Sequence, residues 1–168
     1  MAFKGIKLSS GQLAEQEFNT TSAGAGDAGK PVALDSGGRL DSSMMPVGIG
    51  AETKTIEASE NLAAGDLVNI YDNTGVFCRK ADASNGRRAG GFVLASVTSG
   101  QSATVYCEGA ITGLTSLTPG APYYLSGGTA GAATATAPTT SGHIVQEIGI
   151  AVSTTEISFE PQRPVTLA

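Results

Sequence analysis

Short apolar runs separated by turn residues fill the chain from residue 51 to its end. Residues 53–58 alternate between apolar and polar, and 90–97 is the most apolar run, which predicts a buried central strand. This spacing predicts an all-β fold, a small β-barrel or sandwich of about eight or nine short strands. The predicted strands are 53–58, 67–71, 76–80, 90–97, 103–108 with a continuation over 109–114 past a bulge at Gly109, 123–125, 143–152 and 156–160.

The first 48 residues have a different pattern, which predicts an extended N-terminal arm and linker (1–48) ahead of a β-barrel domain (50–168). Residues 13–18 carry a weak signal for one or two helical turns, a length that is marginal alone in water. Residues 22–29 are rich in Ala and Gly, which indicates a flexible linker.

A spaced set of apolar residues, called the apolar ladder below, follows this linker. It contains a predicted turn at 35–38 and is too short to bury itself in a core of its own. We therefore expect the ladder to lie against a partner surface, and we take it as the candidate contact site. Its residues are Val32, Leu34, Leu40, Met44 and Met45, with Pro46 as the stop.

The composition is poor in charge and favours neither nucleic acid nor membrane as a partner. Charged residues make up 15% of the 168 residues, against about 25% in a typical soluble domain, which suits a surface covered by neighbouring molecules. The net charge is −5, and the basic residues Arg79, Lys80, Arg87 and Arg88 flank a polar loop, so a solvated loop is favoured over a nucleic-acid site. The sequence has neither a membrane-span pattern nor a secretory leader pattern, which predicts a cytoplasmic origin.

Several motifs resemble chemical sites, but each has a plainer interpretation. Residues 24–30 fit two glycine-rich phosphate-loop patterns, yet Pro31 stands where a P-loop needs Ser or Thr, and the flanking strand and helix are missing. His143 is the single histidine and has no accompanying metal or nucleophile motif. We therefore expect no catalytic residues, no cofactor and no metal site, and a protein that is not an enzyme.

Cys78 and Cys107 both fall in predicted strands. A disulfide between them remains open from sequence, but in a reducing cytoplasm two small, half-buried thiols are favoured.

Residues 29–46, Gly-Lys-Pro-Val-Ala-Leu-Asp-Ser-Gly-Gly-Arg-Leu-Asp-Ser-Ser-Met-Met-Pro, resemble a linker that recurs in head and tail fibre or decoration proteins of tailed phages. Three further segments resemble the small β-barrel of phage capsid decoration proteins: 62–71, where Ala-Gly-Asp opens a strand, 79–83 and 90–94. Together these matches cover most of residues 28–110.

This resemblance implies a structural virion protein that decorates and stabilises an icosahedral phage head. It implies a homotrimer on the outer capsid surface of the virion, made in the host cytoplasm, with the major capsid protein as its partner and no binding to nucleic acid or membrane. Whether the apolar ladder binds the shell or a sister subunit is left open.

An alternative function is a head or tail fibre module that binds a host receptor or glycan. Tyr123 and Tyr124, together with the loop at 127–140, offer a platform for a sugar. Because neighbouring strand residues point to opposite faces, at most one of these tyrosines is free for such contact.

Overall fold

A computed structural model describes residues 4–45 and 52–168 of the chain. The chain divides into two compact units, residues 1–50 and residues 51–168, named the N-terminal unit and the β-domain. Pro46, the predicted end of the apolar ladder, lies outside the described residues. In the described residues of both units, the regular secondary structure is β-strands and three-residue 3-10 helices, so the predicted all-β class is confirmed.

The N-terminal unit begins with a β-hairpin. Strand β1 (Lys4–Ser9) pairs antiparallel with strand β2 (Gln12–Glu17). Ser10 and Gly11 form the two-residue turn with φ values of 50° and 81°, and a type I′ hairpin turn needs positive φ at both positions. The helical turns predicted at 13–18 are therefore wrong, because pairing with β1 replaces a helix that is too short to be stable alone.

Turns and one bridge hold the rest of the N-terminal unit. Short 3-10 helices cover Ala25–Asp27 and Ser42–Met44. Asn19 and Val32 form an isolated parallel bridge, flanked by two backbone hydrogen bonds of 2.9 Å. Residues 22–29, which the composition predicts to be a flexible linker, thus lie in a loop that this bridge closes.

Five strands of the β-domain close into a barrel. In chain order they are β3 (Thr53–Ala58), β4 (Leu67–Asp72), β5 (Val76–Lys80), β6 (Gly91–Phe92) and β7 (Ser102–Tyr106). Around the barrel the order is β3-β5-β4-β6-β7, with β3 parallel to β5 and the other pairs antiparallel. The hairpin turn after β4 forms as predicted, since the Asp72 carboxylate accepts the Gly75 N–H at 3.1 Å.

The run 90–97, predicted as one long central strand, is divided in the structure. Only its residues 91–92 form a strand, β6. Beyond β6 the chain changes partners, because Val97 bridges Leu62 in the loop ahead of β4 instead of continuing along the barrel. Val93, between the two pairings, is buried in the barrel core.

A second sheet is antiparallel throughout and has the order β10-β9-β12-β13-β8. The continuation of β7 past a bulge at Gly109 is wrong: Gly109 has a φ of 112° and opens a separate strand in this second sheet. A bulge occurs instead between Glu147 and Gly149. The remaining strands are β8 (Gly109–Ile111), β9 (Pro122–Leu125), β10 (Ala133–Thr134), β11 (Ile144–Val145), β12 (Glu147–Ala151), β13 (Ile157–Phe159) and β14 (Val165–Thr166), of which β11 and β14 pair with each other.

Two hydrophobic cores stabilise the β-domain, and strand β4 contributes to both. Val68 belongs to the core of the barrel strands, whereas its neighbour Leu67 joins the core formed with the second sheet. Successive strand residues face opposite sides, so one strand serves two cores. Phe92 anchors the second core, with its ring centroid 5.4 Å from Tyr106 and 5.2 Å from Phe159.

Candidate attachment surface

The structure brings two of the ladder residues together. Val32, held by its bridge to Asn19, and Met44 line the same small cavity of about 150 Å³ in the N-terminal unit. Asp27 and Lys30 line it as well. Val32 is 52% exposed and Met44 half-buried, so both side chains present part of their apolar surface to solvent.

Leu34 and Leu40 flank the predicted turn, which the structure contains. The carboxylate of Asp35 accepts the backbone N–H groups of Gly37 at 2.8 Å and Arg39 at 2.9 Å. An Asp side chain that accepts from the backbone two residues ahead is typical of such turns. The turn leaves Leu34 and Leu40 about half exposed, at 51% and 50%.

A second aspartate fixes the end of the ladder. The Asp41 carboxylate accepts the N–H of Ser43 at 2.9 Å and its hydroxyl at 2.6 Å, and these bonds lower the pKa of Asp41. The Ser43 hydroxyl oxygen in turn accepts the N–H of Ser22 at 2.8 Å. Met44 and the exposed Met45 follow directly on this fixed turn, so their backbone is positioned before any partner binds.

The glycine-rich segment 24–30 is organised around Asp27. Its carboxylate accepts the Ala23 N–H at 2.6 Å and pairs with the Lys30 ammonium at 2.7 Å. The Lys30 hydrogen bond, then the Ala23 and Asn19 hydrogen bonds, lower the pKa of Asp27 to about 2. Lys30, the residue that a phosphate loop would aim at a nucleotide, is thus paired with a carboxylate of its own loop.

Three further apolar residues are exposed and were not predicted as contact residues: Ile6, Leu8 and Leu13. They are 74%, 71% and 78% exposed. Leu8 lies directly opposite Leu13, and Ile6 lies two residues before Leu8, so all three share one side of the hairpin. We name this side the apolar hairpin face. In the sequence, the signal for this face is the alternation of Ile6 and Leu8 before Ser10-Gly11, with Leu13 two residues after that turn.

Two of the four basic residues that flank the polar loop, Arg79 and Lys80, make local contacts. Arg79 stacks over the Tyr71 ring at 4.0 Å and donates to the Asn69 side chain at 3.2 Å. Lys80 pairs with Asp66 at 3.2 Å.

Both cysteines are free thiols. Cys78 is buried among the barrel strands, and burial raises its pKa, whereas Cys107 is half-buried at the exit from the barrel. Cys78 therefore packs as a small apolar side chain, which is the favoured of the two sequence interpretations.

A polar groove of about 430 Å³ lies in the β-domain. Its lining includes Ser126, Thr134, Thr136, Thr139, Thr140 and His143. Within residues 4–45 and 52–168, no three His, Cys, Asp or Glu side chains come together as a metal site. The same residues include no helix that is long and apolar enough to span a membrane.

Comparison with known proteins gives no match: no family model fits the sequence, and no curated protein or solved structure is significantly similar to it.

Proposed function

We propose that the protein is a structural virion protein that decorates and stabilises an icosahedral phage head. In this proposal the chain binds the outer capsid surface as a homo-oligomer, and the resemblance to phage capsid decoration proteins implies a homotrimer. The major capsid protein is the partner, and the N-terminal unit is the part that attaches.

One observation carries this proposal: among residues 4–45, seven large apolar side chains lie on the surface, although a hairpin and hydrogen-bonded turns fix the backbone that carries them. A unit with this surface is suited to binding rather than to folding around a core. Each side chain contributes roughly 1–2 kcal/mol when a partner covers it. The exposed residues are Ile6, Leu8, Leu13, Val32, Leu34, Leu40 and Met45.

Oligomerisation strengthens such an attachment. Several N-terminal units tethered in one oligomer bind neighbouring sites at a high effective concentration, which raises avidity by about 10²–10⁴ over one unit. Bracing several capsomers at once is the mechanical role that this arrangement supports.

The test is binding to the heads of the phage that encodes this chain, expanded and stripped of the protein. We expect the full-length chain to co-sediment with these heads and electron microscopy to place it on their outer surface. The double variant Leu34→Gln, Leu40→Gln is expected to lose at least about tenfold in affinity, since two half-exposed leucines are removed from the contact.

The matched control is Ile150→Gln with Val152→Gln, which removes two similarly exposed apolar side chains, 48% and 56%, from the β-domain. This variant is expected to bind heads as the wild type does. Failure of the wild-type protein to bind expanded heads would refute the proposed function. Binding by the Leu34/Leu40 variant that equals wild-type binding would refute the role of the ladder.

A fibre module that binds a glycan is the second candidate, and the polar groove beside His143 supports it. Hydroxyl and imidazole groups there offer hydrogen bonds to a sugar, in a groove of about 430 Å³. Tyr123 is not available as a platform, because it is buried and its hydroxyl accepts the Thr118 N–H at 3.0 Å, while Tyr124 is half-buried. A glycan array with the full-length chain decides this candidate, and signals at background level exclude it.

A further inference from the structure

The loop between β5 and β6 presents an asparagine followed by a glycine at the surface of the β-domain. A 3-10 helix covers Ala83–Asn85, and Gly86 follows it in the left-handed region, with φ 73° and ψ 13°. Asn85 and Gly86 are both exposed, and a Cβ added at Gly86 would meet no atom within 4 Å. The space around this pair is therefore open to water and to movement of the Asn85 side chain.

The base of the same loop is fixed to the rest of the β-domain. The Asp82 N–H donates to the Arg87 carbonyl at 2.8 Å, and the Arg87 N–H donates to the Asp82 carbonyl at 3.0 Å. Ala83 is buried, and its N–H donates to the Ser126 carbonyl at 3.1 Å. The exposed pair thus lies at the tip of a loop whose two ends are held together.

An asparagine in such a place can react with its own backbone. Its side-chain amide carbon is an electrophile, and the backbone nitrogen of the next residue reaches that carbon by closing a five-membered ring. A side chain on the next residue hinders this closure, whereas glycine has no Cβ and adopts the backbone conformations that the ring requires.

We propose that Asn85 is a site of spontaneous deamidation in the folded protein. The Gly86 nitrogen loses its proton to hydroxide and bonds to Cγ of Asn85, while the Cγ–Nδ2 bond breaks and Nδ2 leaves as ammonia, with a proton from water. Water then opens the resulting succinimide at either carbonyl. The products are aspartate or isoaspartate at position 85, so the net change is one water consumed and one ammonia released, without oxidation or reduction.

The other asparagines are less suited to this reaction. Of the five in the chain, Asn85 alone precedes a glycine. Asn73 is also exposed, but Thr74 follows it, and a β-branched side chain is bulky and stiff next to the backbone. Asn69 is 8% exposed, and its amide donates to the Arg88 carbonyl at 3.0 Å.

Deamidation would weaken the loop that carries it. The Asn85 amide donates to the Asp82 carboxylate at 2.9 Å, and the same carboxylate accepts the Ser84 N–H at 2.9 Å. A carboxylate at position 85 cannot donate to Asp82 and instead repels it. The reaction also adds one negative charge to a chain whose net charge is −5. This inference is independent of the proposed function.

The test follows the reaction in the full-length chain, incubated in a mildly alkaline buffer made with heavy-oxygen water. Peptide mapping by mass spectrometry measures conversion at each asparagine, because the label enters the product, and electron-based fragmentation distinguishes aspartate from isoaspartate. The same chain in guanidinium chloride gives the rate without folded structure.

We expect conversion at Asn85 in the folded chain to be within about tenfold of the denatured rate, since a single exposed hydrogen bond to Asp82 restrains its side chain. It should also be at least about tenfold faster than conversion at Asn73. A folded-state rate further below the denatured rate, or one that does not exceed the Asn73 rate by this factor, would overturn the inference.

Two variants separate the reaction from its consequence. Asn85→Gln, whose longer side chain disfavours ring closure, should show no conversion at this position. Asn85→Asp carries one of the products, and its Arg87 N–H should exchange with solvent about threefold faster or more than in the wild type. The matched control Asn73→Asp adds the same charge to another exposed turn and should leave Arg87 unchanged. Equal exchange in both aspartate variants would refute the weakening of the loop.

Discussion

The N-terminal unit and the β-domain are stabilised by different forces. In the β-domain, two buried clusters of apolar side chains hold the sheets. In the described part of the N-terminal unit, large apolar side chains are exposed or half-buried, and carboxylates that accept backbone N–H groups fix the turns. These are Asp27, Asp35 and Asp41. Hydrogen bonds at turns thus fix these described residues, and their exposed apolar side chains are available to a partner.

The largest loss in stability of the β-domain is expected from a substitution at Gly149, in the bulge of β12. Its φ is 144°, and a Cβ at this position would overlap the backbone carbonyl of Ser158 on β13. Gly149→Ala is therefore expected to lower the free energy of unfolding by about 4 kcal/mol or more, since the sheet must shift to admit the methyl group.

Denaturant unfolding followed by circular dichroism measures this loss. The control is Gly128→Ala, because a Cβ at Gly128 meets nothing closer than the Ser126 hydroxyl at 4.0 Å. Similar stability of the two variants would contradict the structure around the bulge.

Truncating one apolar residue in each unit tests the contrast between them. Phe92→Ala removes a 1% exposed ring from the second core and is expected to cost about 3–5 kcal/mol of unfolding free energy. Leu13→Ala removes a 78% exposed side chain and is expected to change the stability of the isolated chain by less than about 0.5 kcal/mol. Thermal unfolding at low protein concentration measures both, and a large loss in Leu13→Ala would mean that the hairpin is already covered.

Sequence patterns predicted the strands of the β-domain correctly where residues close together in the chain determine them. The alternation at 53–58 gave β3, and the turn residues after Asp72 gave the β4–β5 hairpin. The prediction of one strand over 90–97 was wrong, because an apolar run indicates that residues are buried and does not indicate that they pair in a sheet. Val93, for example, is buried but lies outside any strand. The second sheet begins at Gly109, which adopts a positive φ. Glycine permits this conformation, but the sequence does not show which glycine adopts it.

The candidate site was predicted only in part, for a similar reason. The turn at Asp35 follows from residue types, and the exposure of Leu34 and Leu40 follows from a ladder that is too short to form a core. The hairpin around Gly11 was not predicted, because only its two turn residues distinguish paired strands from a short helix in this part of the sequence. The bridge between Asn19 and Val32 is also invisible in sequence, since it joins backbone atoms across 13 positions of the chain.

Gln146 allows a test with a smaller expected effect, on the contact between its side chain and the backbone of Ala89. Its side chain is 2% exposed, and it accepts the Ala89 N–H at 2.8 Å and donates to the Ala89 carbonyl at 2.9 Å. Gln146→Leu leaves both buried backbone groups without their partner, so we expect a loss of about 2–3 kcal/mol in unfolding free energy.

Hydrogen exchange at Ala89 is the specific readout for this contact, since its N–H should exchange faster in the variant. The matched control is Gln162→Leu, whose exposed side chain donates only to a nearby carbonyl at 3.3 Å. Unchanged protection at Ala89 in Gln146→Leu would contradict the contact.

The smallest expected effect lies in the N-terminal unit, where acid should loosen the loop around Asp27. The folded-state pKa of this carboxyl is about 2, against an ordinary 3.8. A lowered pKa means that the folded loop holds the proton less tightly than the unfolded chain does. Its stabilising contribution is therefore complete above about pH 4 and is lost as the pH falls towards about 2.

Carbon-detected NMR titration of the Asp27 carboxyl measures this pKa, and the Ala23 N–H shift should follow the same curve. Lys30→Met removes the largest cause of the shift and is expected to move the pKa of Asp27 back towards 3.8 without altering the barrel. An unchanged pKa in this variant would assign the shift to the Ala23 and Asn19 hydrogen bonds. Because the Asp27 carboxylate holds this loop through a hydrogen bond and an ion pair, acid should release it while the β-domain, held by buried apolar side chains, remains folded.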